Sequence, residues 1–147
     1  MLGYIEMRRI LTIFLFTCLS SLAYSGECLL DDQKWINDES PSLTSWSPIY
    51  ASFKTNVPGC DDGIFGEGYT EAVAKMLSNK WQLLAELKAL TDKDPRFRLF
   101  VLKHVDASAD PDDLKRIYKN ATQFCKKEYS ELCMALASAA QKAIQEL

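Results

Sequence analysis

The chain has one histidine in 147 residues, His104, and no glycine after Gly68. It has no Gly-x-Ser-x-Gly elbow, so the strand-to-helix turn that exposes a hydrolase serine is missing. No two cysteines stand in a Cys-x-x-Cys step, and a single imidazole cannot complete a zinc shell. A Cys–His enzyme would need that imidazole beside a free thiolate. No segment alternates apolar and polar residues convincingly, so no sheet is expected. The longest apolar run, Ile10 to Ala23, is too short to span a bilayer comfortably. With most catalytic sets absent, the chain is not expected to be an enzyme, nor to carry a cofactor or metal. Two carboxylates alone can serve a glycosidase, and Asp61, Asp62, Glu67 and Glu71 could be offered. Acidic residues just before a helix are more often solvated.

The start of the chain reads as a leader. Arg8 and Arg9 precede the apolar run, and Ala23-Tyr24-Ser25 puts small residues before a cleavage point at Gly26. Glu6 is unusual there, and Met7 would make a cleaner start. Neither Cys18 nor Cys28 follows the small residues of a lipobox. An exported, periplasmic or secreted protein of 122 residues is therefore expected, enough for one domain. Without Arg8, Arg9 and Glu6 it holds 15 basic and 19 acidic residues, a net −4. Such a surface is a poor match for nucleic acid, which needs a basic stripe. No later run approaches a membrane span.

Four cysteines remain: Cys28, Cys60, Cys125 and Cys133. An even number in an exported chain points to disulfides, and four allow three pairings. In one continuous helix Cys125 and Cys133 would lie about 12 Å apart. A helix break near residues 125–128, where "KKEYSEL" follows, would bring them within bonding reach. The reading is Cys125–Cys133, leaving Cys28–Cys60 to pin the N-terminal part.

Residues 26–68 are dense in Pro, Gly, Ser, Asn and Asp and read as loops with short helical pieces. "LLDDQKWIN" and "SPIYASF" could be helical, the second with Ser47 as cap and Pro48 at the first position. "CDDGIFGEG" lacks the alternating oxygens of a calcium loop and reads as a turn. From Tyr69 the period is helical: helices are expected near 69–79, 80–91, 95–105, 111–125 and 128–146. The class is all-α, about five helices in residues 69–147, with the loop-rich segment packed on them. Trp81, Leu84, Leu87, Phe97, Phe100, Val101, Leu114, Ile117, Leu132 and Leu136 form the expected core.

The stretch "DKDPRFRLFVLKHVDASADPDD" crowds aspartates around the one histidine. Asp94-Pro95 and Asp110-Pro111 both read as a helix cap followed by proline in the first turn. Asp112 and Asp113 then suit the positive end of the dipole. The aspartates are punctuation, and His104 is a packed or capping residue without a visible partner. Asn120-Ala121-Thr122 fits a glycosylation pattern but falls inside a helix, a coincidence.

Residues Trp81 to Cys133 carry a resemblance. "DPRFRLFVLKHVD" and the Cys125-to-Cys133 spacing are similar to small exported proteins of Gram-negative bacteria. With the leader, the acidic helical domain and the missing catalytic set, the chain resembles periplasmic immunity proteins of type VI secretion effectors, nearest those that neutralise cell-wall amidases. The resemblance covers about the last 80 residues; residues 26–68 lie outside it. It implies a protein that binds and occludes a toxin or hydrolase. The best contact is the loop "NVPGCDDGIFGEGY", with Asp61, Asp62, Ile64, Phe65, Glu67 and Tyr69, held rigid through Cys60. Two other readings stand beside it: an envelope structural or assembly factor acting by helix–helix contact, and an enzyme using paired carboxylates; a homodimer is the partner state allowed beside the protein partner.

Overall fold

A computed structural model describes residue 28 and residues 30–56 and 60–147. The expected leader, Leu29 and residues 57–59 of the candidate loop lie outside these. The described residues hold seven α-helices joined by short 3-10 and π turns, and no strand. The all-α expectation is met. The expected count of about five is exceeded because the N-terminal segment is itself largely helical.

Helix α1 (Asp32–Lys34) starts where the Asp31 side chain accepts a bond from the Lys34 N–H at 2.9 Å. It runs on as a π turn, Trp35–Glu39, and a 3-10 turn, Ser40–Ser42. Helix α2 (Trp46–Thr55) has its N-cap position at Ser45, two residues before the expected cap Ser47. Pro48 still falls in the first turn, where backbone N–H groups have no intrahelical acceptor. Helix α3 (Gly63–Asn79) begins six residues earlier than its period suggested. Residues 63–68, read as a turn, are therefore helix, and α3 crosses the supposed boundary at residue 68.

The later helices follow the sequence closely. A 3-10 turn, Trp81–Leu83, leads into α4 (Leu84–Lys93). Helices α5 (Pro95–Lys103) and α6 (Pro111–Gln123) start at the two Asp-Pro steps. Asp94 Oδ1 accepts from the Arg96 N–H at 3.1 Å, and Asp110 Oδ1 from those of Asp112 and Asp113 at 2.8 and 3.2 Å. Each carboxylate thus satisfies donors that the helix leaves free. A 3-10 turn, Lys127–Tyr129, precedes α7 (Ser130–Gln145).

Helix α3 is the organiser. It packs on α6, which pairs most extensively with α7, while α2 lies against α3 and α4 and α5 touches α7. One buried cluster runs from Trp35 and Trp46 through Leu77 and Ile117 to Leu136. Nine of the ten expected core residues are buried; Trp81 is half-buried and donates its Nε1–H to the Phe124 carbonyl at 3.2 Å. Leu99, on α5, is 68% exposed. Both disulfides are present as paired in the sequence, with Cα atoms 4.8 Å apart in Cys28–Cys60 and 6.2 Å in Cys125–Cys133. No helix of the described residues is long and apolar enough to cross a membrane.

Candidate functional site

The first turns of α3 lie between two clefts, and glycine makes that possible. A Cβ at Gly68 would stand 2.9 Å from the Trp35 ring and 3.0 Å from Ser40 Oγ. A Cβ at Gly66 would meet the Asp61 carbonyl at 3.2 Å. The two glycines therefore admit two different neighbours onto one helix: the Trp35 turn on one side and the Cys60–Asp62 segment on the other. Their density suggested a loop, but they serve close approach inside a helix. Trp35 is fixed there, donating Nε1–H to the Ile64 carbonyl at 3.2 Å and packing against Phe65 and Tyr69.

This arrangement divides the six candidate contact residues. Phe65 and Tyr69 are core, not surface: Tyr69 is 1% exposed and its hydroxyl bonds Ser52 at 2.7 Å. Neither fits the expected contact role, because residues 63–69 are helical and turn these side chains inward. Burial pushes the Tyr69 hydroxyl pKa up, with Ser52 and Asn56 opposing. Asp62, Ile64 and Glu67 stay exposed. Ile64 and Glu67 line a groove of about 570 Å³ between α3 and the turn from Trp35 to Thr44. Asp61, Asp62 and Glu67 line a smaller cleft of about 240 Å³ on the other side, with Thr70, His104 and Asp106.

His104 sits at the back of that smaller cleft with two partners that were not foreseen. Its Nε2 lies 2.8 Å from Asp61 Oδ1, and its Nδ1 lies 3.1 Å from Thr70 Oγ1. Phe100 and Tyr69 enclose the ring, which is 2% exposed. Lys103 Nζ reaches the other oxygen of Asp61 at 2.8 Å and its carbonyl at 3.0 Å. Thr70 Oγ1 is also 3.3 Å from Asp106 Oδ2, and its one proton can serve only one acceptor. Burial holds the His104 pKa below its ordinary 6.5, against the opposing charge and hydrogen bond of Asp61. In its neutral form the ring can donate Nε2–H to Asp61 and accept the Thr70 hydroxyl at Nδ1, the tautomer that suits both contacts. A proton on Nδ1 would turn that hydroxyl toward Asp106.

The order carboxylate, imidazole, hydroxyl has the form of a nucleophile relay. Its hydroxyl is 3% exposed and already shared between two acceptors. What the network does visibly is fasten: Asp61 is tied to the end of α5 immediately after Cys60, which is bonded to Cys28.

A second buried carboxylate lies elsewhere. Asp113, 1% exposed, pairs with Lys75 at 3.0 Å and with Arg116. Burial raises its pKa, but hydrogen bonds from Ser78, Arg116 and Lys75 outweigh this and hold it below 3.8. It joins α6 to α3, beyond the helix-dipole role expected of it. Asn120 does the same at the far end: its Nδ2 donates to the Leu77 and Ser78 carbonyls at 3.0 and 3.1 Å. That amide serves the end of α3, which accounts for Asn120 without glycosylation. Among the described residues no group of three or more His, Cys, Asp or Glu could hold a metal ion.

No protein-family model, no curated protein and no solved structure matches the chain.

Proposed function

We propose that this is an exported protein-binding inhibitor of the immunity type, which neutralises a secreted cell-wall hydrolase or toxin by covering its site, and that the corner where α3 begins makes the contact. One observation carries the reading: Asp62, Ile64 and Glu67 are displayed on a corner braced from behind. Cys28–Cys60 and the bonds of Asp61 to His104 and Lys103 hold the approach to it. Gly66 and Gly68 seat its neighbours against the helix. A surface ordered before binding loses less conformational entropy on docking. The protein needs no reaction of its own in this role, and the periplasm is the compartment that suits its two disulfides.

The experiment is an inhibition titration. The purified protein is added to a secreted cell-wall amidase, and peptidoglycan clearing is followed. Wild type should abolish clearing near one equivalent, and Ile64→Asp should leave the hydrolase active while its own fold is retained. No inhibition by wild type at excess would overturn the reading.

A further inference from the structure

The groove beside α3 differs from the smaller cleft in what covers its floor. Trp35, Leu43 and Met76 form that floor and are almost wholly buried. Ile36 and Ile64 stand at its edge, 44% and 38% exposed. Two carboxylates, Glu67 and Glu71, line the lip one helical turn apart. Neither takes part in an ion pair among the described residues. Of the two lysines of the groove, Lys75 is drawn to the buried Asp113, at 3.0 Å, and Lys80 keeps its charge but is directed to the Thr44 carbonyl, at 2.6 Å, rather than to either glutamate.

Like charges at i and i+4 on a helix repel each other. Here the repelling pair borders apolar surface; Lys75, four residues further on, feels the Glu71 charge but makes its ion pair with Asp113 instead. A partner cation placed between Glu67 and Glu71 would relieve the repulsion while an adjacent apolar side chain covers Ile36 and Ile64. The volume, about 570 Å³, is in the range that takes several side chains rather than one.

We infer that this groove binds a basic amphipathic segment of the partner protein, with an apolar side chain seated over Trp35 between Ile36 and Ile64 and a lysine or arginine held by Glu67 and Glu71. The inference rests on the protein-binding reading above and adds the chemistry of the partner. Charge complementarity also disfavours a second copy as occupant, since each copy would bring the same acidic lip and a net negative surface.

The test uses two peptides of about twelve residues, built of leucine with lysine and of leucine with glutamate in the same order. Each is titrated into the purified, isotope-labelled protein and amide shifts are followed. The lysine peptide should move the resonances of Ile64, Glu67 and Glu71, and the glutamate peptide should not. The double variant Glu67→Gln, Glu71→Gln should bind the lysine peptide at least about tenfold more weakly, and added salt should weaken wild-type binding. Equal binding of both peptides, shifts confined to another face, or no response to millimolar lysine peptide would overturn the inference. So would groove shifts that change on simple dilution, which would name a second copy as the occupant. The hydrolase titration separates the two claims. If the double variant inhibits as well as wild type, the inference falls and the inhibitor reading stands. If wild type does not inhibit yet binds the lysine peptide selectively, the inhibitor reading falls and the groove chemistry stands.

Discussion

The α6–α7 hairpin buries side chains in rows: Leu114, Ile117 and Ala121 on one helix, Leu132, Leu136, Ala140 and Ala143 on the other. The segment from Cys28 to Asp62 buries fewer but larger ones, chiefly Trp35, Trp46, Ile49 and Phe53. The hairpin repeats a small contact many times, and the alanines let its helices lie close. The N-terminal segment depends on single tethers: one disulfide, one indole over one glycine, one carboxylate on one imidazole. A region built by repetition should lose stability gradually when one contact is removed. A region built by tethers should lose its local order when one tether goes. The candidate contact corner is at the end of the tethered region.

The disulfides offer the largest test of this contrast. Replacing Cys28 and Cys60 by serine should cost about 3–4 kcal/mol by loop-closure entropy over 32 residues of separation. Replacing Cys125 and Cys133, only 8 apart, should cost about 2–3 kcal/mol. Denaturant unfolding gives both values. Hydrogen exchange should show the first variant losing protection in residues 30–56 while α6 and α7 keep theirs.

His104 comes next. His104→Ala leaves a buried cavity and removes one partner each from Asp61, which keeps Lys103, and from Thr70, which can turn to Asp106, an expected loss of about 2–3 kcal/mol. The sign of its pH effect follows from the direction of its shift. The unfolded imidazole takes a proton near 6.5, and the folded one takes it only at lower pH. Wild-type stability should therefore fall as pH drops below about 6.5, over a window ending at the depressed folded value. That slope should vanish in His104→Ala. Asp113, whose pKa is held below 3.8, loses its contribution only in stronger acid, as pH falls below that value. Stability measured by urea denaturation at several pH values separates the two.

Smaller effects follow from backbone fit and capping. Gly68→Ala puts a methyl group against the Trp35 ring and should cost about 1–3 kcal/mol through the shift it forces. A blue shift or quenching change in tryptophan emission would accompany it. Asp110→Ala removes the cap of α6 and should cost about 1 kcal/mol, with Tm the readout and the tethered segment unaffected.

The same contrast explains what the sequence revealed. Residues 84–147 were legible because their helices announce themselves locally: Asp94-Pro95 and Asp110-Pro111 mark starts, and Leu114, Ile117 and Ala121 keep the period. The Cys125–Cys133 pairing followed from a break only a few residues long. The start of α3 was not legible. Gly66 and Gly68 look like turn residues until Asp61 and Trp35 are seen to fill the space they leave, and Gly63 opens the helix at a positive φ. His104 was given no partner because Asp61 and Thr70 are 43 and 34 residues away. The inward turn of Phe65 and Tyr69 was missed for the same reason: placing α3 six residues late removed the periodicity that would have shown it. Asp62 could have been found as a cap, since it precedes the glycine that opens the helix with φ 54°.

The most direct test of the account is a hydrogen-exchange footprint of the protein alone and saturated with a hydrolase that it is proposed to inhibit. Binding should slow exchange across residues 62–72 and the turn from Trp35 to Thr44, and leave the outer faces of α6 and α7 unchanged. A footprint on α6 and α7, around exposed Met134, with residues 62–72 unaffected, would contradict it.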